Sequence, residues 1–216
     1  MGKKRGYEKK LAYAMLAIFI ALFCVFLLLI LASYLNGGGP VLFSPGSGEP
    51  FSGSQYAKDI YIYENNPDGT GISYTDPQLY FGIVDLGGGN LKKFKSLIYF
   101  NISTIPQNNY ILSAKLNITI KPQACSGRLN ISKITNPWNQ IYTSWNNRSN
   151  TLLWATPGGD YSSEIINSST ISSGGNYSLD ITSLVKDWYL NPEQNYGLII
   201  YPGDNSVCLV SVESTE

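Results

Sequence analysis

The stretch Ser113–Lys121, SAKLNITIK, alternates strictly. Ala114, Leu116, Ile118 and Ile120 fall on one side of an extended chain; Lys115, Asn117, Thr119 and Lys121 fall on the other. A helix would scatter these residues around its axis, whereas a strand with one dry and one wet face sorts them. The pattern recurs. Ile60 and Ile62 alternate with tyrosines in DIYIY. Leu129 and Ile131 oppose Asn130 and Ser132 in GRLNISKI, where the alternation weakens towards Ile134. Tyr177, Leu179 and Ile181 share a face in NYSLDI. Further strands are expected at Gln78–Ile83, Lys95–Ile102, Tyr196–Tyr201 and Val207–Val212. The turn-forming strings NPDGTG, DLGGGN, TPGGD, SSGGN and YPGDN separate these runs. Many short strands at such spacing predict an all-β fold, an antiparallel β-sandwich or jelly roll. One segment departs from it. In DITSLVKDWYLNPEQ, Leu184, Val185 and Trp188 have helical spacing, with Asp180 or Thr182 as a cap and Pro192 beyond the end. One short helix is expected there, covering an end of the sandwich.

The N-terminus carries a different signal. Residues 1–10 hold Lys3, Lys4, Arg5, Lys9 and Lys10 against Glu8 alone. Residues 11–35, Leu11 to Leu35, contain no charge. A bilayer core needs about 20 apolar residues as helix, and a cleaved secretory signal only about 7–15. The run therefore predicts an uncleaved transmembrane signal-anchor. The basic cluster stays in the cytoplasm and the C-terminal part lies outside the cell membrane. Residues 36–56 are rich in Gly, Pro and Ser and read as a flexible linker. Val41–Phe43 is an apolar island within it. Residues 57–216 are the expected β-sandwich.

Composition excludes several functions. The chain has no histidine, which removes the commonest general base and the commonest zinc ligand. Charged residues are 14% of the chain, and the part after Phe51 is mildly acidic without a basic patch, so nucleic acid is not an expected partner. Carboxylate pairs remain, Asp160 with Glu164 and Asp180 with Asp187, but nothing in the sequence sets either across a cleft, and no enzyme is expected. No cofactor is expected apart from a candidate structural calcium ion near ENNPDGTG, for which Asp59, Glu64, Asp68 and Asp76 supply oxygens.

The order of the elements adds a resemblance. KSLIYFNIS, the Ile105–Pro106 pair and ILSAKL come in sequence, followed by YTSWNN, LDITSLVKDWYLNPEQNYGLIIYP and VSVESTE. Together these strings, from Ala57 to Glu216, resemble the DNRLRE or disaggregatase-related domain, grouped with carbohydrate-binding modules. The resemblance implies a non-catalytic β-sandwich of cell-surface proteins that binds polysaccharide or extracellular matrix. The family's further strand after the final motif has no counterpart before Glu216: either the sequence is cut short there or the domain lacks that strand. A sandwich lacking a strand has an open edge, which another segment can fill by strand addition. Val41–Phe43 is a candidate donor, in cis or in trans. The alternative function is thus a structural subunit of a surface filament or envelope, assembling with other surface proteins by strand exchange.

Trp145 and Trp188 are expected in the core. Trp138 and Trp154 lie near Pro137 and Pro157 and are the candidate ligand-binding residues: an exposed indole among amides stacks on a sugar ring, whereas one turned inward covers an edge of the core. Cys125 and Cys208 are the two cysteines outside the membrane run and are expected to form one disulfide in an exported domain. Asn101, Asn117, Asn130, Asn147, Asn167 and Asn176 head Asn-X-Ser/Thr sequons and are glycosylation candidates. Of these, Asn117, Asn130 and Asn176 are expected on polar strand faces, and Asn147 and Asn167 on loops.

Overall fold

A computed structural model of the chain describes residues 41–43, 57–69, 76–106 and 108–213. The signal-anchor expected over Leu11–Leu35 and most of the linker lie outside the described residues. No helix among the described residues is long and apolar enough to cross a membrane. The chain divides into two compact units, residues 1–41 with 106–110 and residues 42–105 with 111–216. The second unit carries nearly all of the β-structure.

The strands are β1 (Val41–Phe43), β2 (Ala57–Tyr63), β3 (Gln78–Asp85), β4 (Leu91–Phe100), β5 (Ile111–Ile120), β6 (Gly127–Lys133), β7 (Asn167–Ile171), β8 (Gly175–Asp180), β9 (Leu198–Pro202) and β10 (Leu209–Glu213). Helix α1 (Thr182–Leu190) and a 3-10 turn (Pro192–Gln194) lie between β8 and β9. The strand order is β1-β5-β10-β3-β4-β9-β6-β7, with β2 also on β4 and β8 also on β5. The expected all-β class holds, with its one short helix. The architecture is one continuous sheet rather than two separate ones. β4 makes the join: Leu91–Phe94 pair with β3, Phe94–Phe100 with β2 and Ser96–Ile98 with β9. One wing is β2-β4-β9-β6-β7 and the other β3-β10-β5-β8. Their free ends come together where the Asn167 amide, at the start of β7, donates to the Asp180 carbonyl at the end of β8 (3.3 Å).

The wings differ in how they bury. In β5, Ala114, Leu116, Ile118 and Ile120 are buried while Lys115 and Thr119 are exposed, as the alternation requires. The first wing is closed on both faces. Register sets Ile60 opposite Leu97, and Leu97 opposite Ile199 on one face; Ile98 opposes Leu198, and Ile200 opposes Ile131 on the other. All of these are buried. That is why Asn130 and Ser132, expected on a wet face, are buried instead. Their polar atoms are met internally: Ser168 Oγ donates to Asn130 Oδ1 (2.8 Å) and Ser132 Oγ donates to the Glu164 carbonyl (2.7 Å). Strand β7 escaped the sequence reading because NSSTI buries one apolar side chain, Ile171, and shows no apolar alternation.

In α1 the expected residues Leu184, Val185 and Trp188 face inward. Asp180 accepts the Thr182 N–H at 2.8 Å, while Thr182 Oγ1 accepts the Ala114 N–H at 3.0 Å, so the helix start is fastened to β5. The Thr182 hydrogen bonds hold the Asp180 carboxyl below its ordinary range. Cys125 and Cys208 form the expected disulfide, with Cα atoms 5.4 Å apart and a sequence separation of 83. Closing a loop of that size contributes about 4 kcal/mol in the chain-entropy picture.

Two glycines permit close strand contacts. Gly82 has φ +129°, and a Cβ there would lie 2.0 Å from the Cys208 carbonyl oxygen. Gly197 has φ +91°, and a Cβ would lie 2.3 Å from the Ile98 carbonyl oxygen. Gly88 also has positive φ, but nothing lies within 4 Å of its would-be Cβ. Gly82→Ala and Gly197→Ala are expected to lose roughly 2–4 kcal/mol in urea denaturation, and Gly88→Ala about 1 kcal/mol. Equal losses at all three sites would contradict the close-contact account.

Candidate functional site

The connection from Ile134 to Ile166, between β6 and β7, is long and almost without regular structure. Its order comes from side chains. Asp160 staples it: Oδ2 accepts from the Asn136 amide and the Ala155 N–H, and Oδ1 accepts from the Thr156 N–H, all within 3.0 Å. Trp138, Trp145 and Trp154 then pack as one cluster with Ile60, Ile62, Leu97, Ile134 and Ile199. The loop is thus the second cover of the doubly buried wing.

Two lysines pin it. Lys95 is only 7% exposed. Its Nζ donates to the Gly158 carbonyl (2.8 Å) and the Tyr161 hydroxyl (3.3 Å) and lies 4.9 Å from the ring centres of both Trp145 and Tyr161. Burial, with a smaller contribution from Lys93, lowers its pKa to about 8, against a weaker upward pull from Glu64. Lys58 donates to the Trp138 carbonyl (3.3 Å) and lies over Tyr99 and Trp138 at 4.9 and 4.6 Å. Burial also lowers its pKa. Edge strand β2 is blunted by the same loop, whose Gln140 amide donates to the Asp59 carbonyl (2.9 Å).

Beside this loop is an open cleft of about 660 Å³. The end of β6 contributes Lys133, the start of the loop Thr135, its end Ser162, Glu164 and Ile166, helix α1 Ser183, Leu184 and Asp187, and the segment before β9 Gln194 and Tyr196. Lys133 Nζ donates to Asp187 Oδ2 in an ion pair and to Gln194 Oε1 at 3.2 Å. Tyr196 is half-buried and rests on the tryptophan cluster, and its carbonyl accepts the Trp138 indole N–H at 2.8 Å. The cleft therefore offers one fixed aromatic ring, three hydroxyls, two carboxylates and an apolar patch. Convergent polar groups around an apolar floor are the general make-up of a small-molecule or oligomer site.

The candidate ligand residues Trp138 and Trp154 are 6% and 4% exposed, so of the two readings the core cover holds. Their N–H groups are spent internally, on the Tyr196 and Ser144 carbonyls. Their ring faces pack against the core, so neither offers a face for stacking. Trp145 and Trp188 are buried as expected. Asp59, Glu64, Asp68 and Asp76 have separate tasks. Asp59 is buried; Glu64 accepts the Lys93 N–H, Asp68 the Asn146 amide, and Asp76 the Gln78 N–H and Tyr61 hydroxyl. No group of three potential metal ligands gathers among the described residues.

Among the sequons, Asn176 is exposed, while Asn101, Asn117, Asn147 and Asn167 are half-buried. Asn167 opens β7 instead of lying on a loop, and Asn130, on β6 within the first wing, is closed off at 7% exposure. The sequence pairs Asp160/Glu164 and Asp180/Asp187 are divided: one member of each, Glu164 and Asp187, lines the cleft. Sequence reasoning missed Lys133, Gln194 and Tyr196. The one signal was Lys133, a charge in register with Leu129 and Ile131.

Residues 82–216 match the model of carbohydrate-binding module family 96. The match spans more than half of the chain, which belongs to that family. No curated protein matches it.

The Lys95 contacts make a pH prediction. Its proton is held less tightly in the folded than in the unfolded chain. Below pH 8 both forms carry it and stability does not vary on its account. Between pH 8 and 10.5 the unfolded chain binds more proton, so stability rises with pH. A gain of about 1–2 kcal/mol is expected between pH 8 and 9.5 in urea titrations. Lys95→Met is expected to flatten that slope, and an unchanged slope would contradict the assignment.

Proposed function

We propose that this family 96 module is a non-catalytic polysaccharide-binding protein, held at the outer face of the cell membrane by Leu11–Leu35, with the cleft beside Tyr196 as its binding site. The observation that carries the reading is that cleft: a ring fixed from behind by the tryptophan cluster, set among Thr135, Ser162 and Ser183 hydroxyls and the Glu164 and Asp187 carboxylates. Sugars present C–H faces that pack on rings and O–H groups that pair with such acceptors and donors. The uncharged run and the basic residues before it support the anchor.

A glycosidase works with two carboxyls set across the scissile bond, one of them free to act as acid. In this cleft Asp187 is committed to the Lys133 ammonium and Glu164 is exposed, which supports the non-catalytic reading.

The test is affinity electrophoresis of the full-length chain through polysaccharide gels, with Ser183→Ala and Tyr196→Ala beside wild type. Retardation should weaken by roughly tenfold in Tyr196→Ala and by a smaller factor in Ser183→Ala. Polymer length should stay unchanged on long incubation. Shortened polymer would sink the non-catalytic reading, and release of the full-length chain from membranes by alkaline carbonate would sink the anchor.

A further inference from the structure

We infer that the outer side of the tryptophan loop rests on the lipid bilayer to which the chain is tethered; this rests on the anchor proposed above and not on the cleft. The loop turns its three tryptophans inward, yet its outer side is apolar as well. Ile141, Tyr142, Leu152 and Leu153 are 49%, 39%, 47% and 68% exposed. Arg148 draws them together. Its carbonyl accepts from the Asn139 N–H (2.8 Å) and from Thr143 Oγ1 (3.1 Å), and its N–H donates to the Leu152 carbonyl (2.9 Å). The turn that carries Ile141 and Tyr142 is thus fastened beside the stretch that carries Leu152 and Leu153. Trp154 holds that stretch from within, donating its main-chain N–H to the Asn146 carbonyl and its indole N–H to the Ser144 carbonyl. Single exposed apolar side chains need no explanation, but several held out together on a fixed loop mark an interaction surface.

Charge and chain connectivity identify the occupant. Residues 137–159 contain one charged side chain, that of Arg148. Lys58, bonded to the Trp138 carbonyl, adds a second cation at the rim. The acids bonded to the loop, Asp68 and Asp160, are taken up by the Asn146 and Asn136 amides and by main-chain N–H groups. Leucine, isoleucine and tyrosine beside basic residues are the make-up of a surface that enters the headgroup region of a bilayer. Connectivity points the same way. Lys58 and Asp59, at the start of β2, are both bonded to the loop, through Trp138 and Gln140. From Ala57 the chain runs back through residues 36–56 to the uncharged run Leu11–Leu35. A segment of that length, rich in Gly, Pro and Ser, reaches roughly 25 Å. The loop therefore lies where the tether joins the module. A tether also makes the second contact intramolecular, so a patch of four side chains suffices to hold the module against the membrane.

The test places a fluorophore on the patch. The full-length chain with Cys24→Ser receives one new thiol, Leu153→Cys on the patch or Leu86→Cys in the exposed hairpin between β3 and β4. β4 runs from that hairpin to Phe100, the partner of Ala57, so Leu86 marks the end away from the tether. Each thiol carries a polarity-sensitive label, and the chain is reconstituted into vesicles of about 3:1 phosphatidylcholine and phosphatidylglycerol, with or without nitroxide-tailed lipid. The label at 153 should be quenched about twofold by the nitroxide, and the label at 86 left unchanged. Ile141→Asp, at an exposed position, should remove the quenching at 153 while the chain still resists alkaline carbonate. An unquenched label at 153 on a chain that carbonate does not release would overturn the inference and leave the anchor standing. Release by carbonate would overturn the anchor and the inference with it. A Leu153→Cys thiol that escapes lipid quenching but cross-links to its counterpart on a second chain would overturn the lipid contact in favour of a contact between copies.

Discussion

The wing β2-β4-β9-β6-β7 is apolar on both faces, and the rest of the structure answers to that. A sheet buried on one side needs one partner layer, whereas this wing needs two. The other wing, reached where β4 exchanges β9 for β3 as its neighbour, belongs to the same nearly closed sheet. The tryptophan loop supplies a cover over Ile60, Leu97 and Ile199. Without that loop those side chains would face water, at about 1.5–3 kcal/mol each. The loop in turn holds no ladder of its own and depends on Asp160, Lys58 and Lys95 for its shape. Charged groups here act as fasteners for an apolar lid, which accounts for two lysines against aromatic rings in a chain otherwise sparing with charge.

The cleft arises from the same arrangement. Tyr196 leans on the cluster and receives the Trp138 N–H on its carbonyl. Lys133 sits where β6 leaves the sheet to become the loop, and Asp187 reaches it from the helix that closes the fold's end. The ring is thus set by a core contact and the polar wall by an ion pair between two elements. A ring whose position is already fixed loses little freedom when a ligand binds, which favours affinity from few contacts.

Much of the fold was legible because strand alternation is local. SAKLNITIK shows its buried face in its own letters, and the helix shows Leu184, Val185 and Trp188 at helical spacing. What was not legible is what lies over a strand. Asn130 and Ser132 read as a wet face because nothing in GRLNISKI says that a loop and its hydrogen bonds will seal them. Trp138 and Trp154 stayed ambiguous for the related reason that a tryptophan among Asn, Gln and Ser has the same letters whether it is a platform or a lid. The cleft residues come from four separate stretches, and Glu164 and Asp187 reach one cleft from elements that no spacing rule connects. The resemblance to a carbohydrate-binding domain succeeded at the coarser level because it rested on the order of several elements, not on any single site.

The placement of β10 has a consequence for the timing of folding. It is the last of the described strands to be synthesised, yet it lies inside the sheet, between β3 and β5. Until it arrives, β3 and β5 each present an unpaired edge, and Cys125 has no partner. The nascent domain must therefore wait, with sticky strand edges, until β10 is available. Domains built this way are most exposed to mispairing during synthesis, and the pairing of β10 with the Cys125–Cys208 link closes those edges.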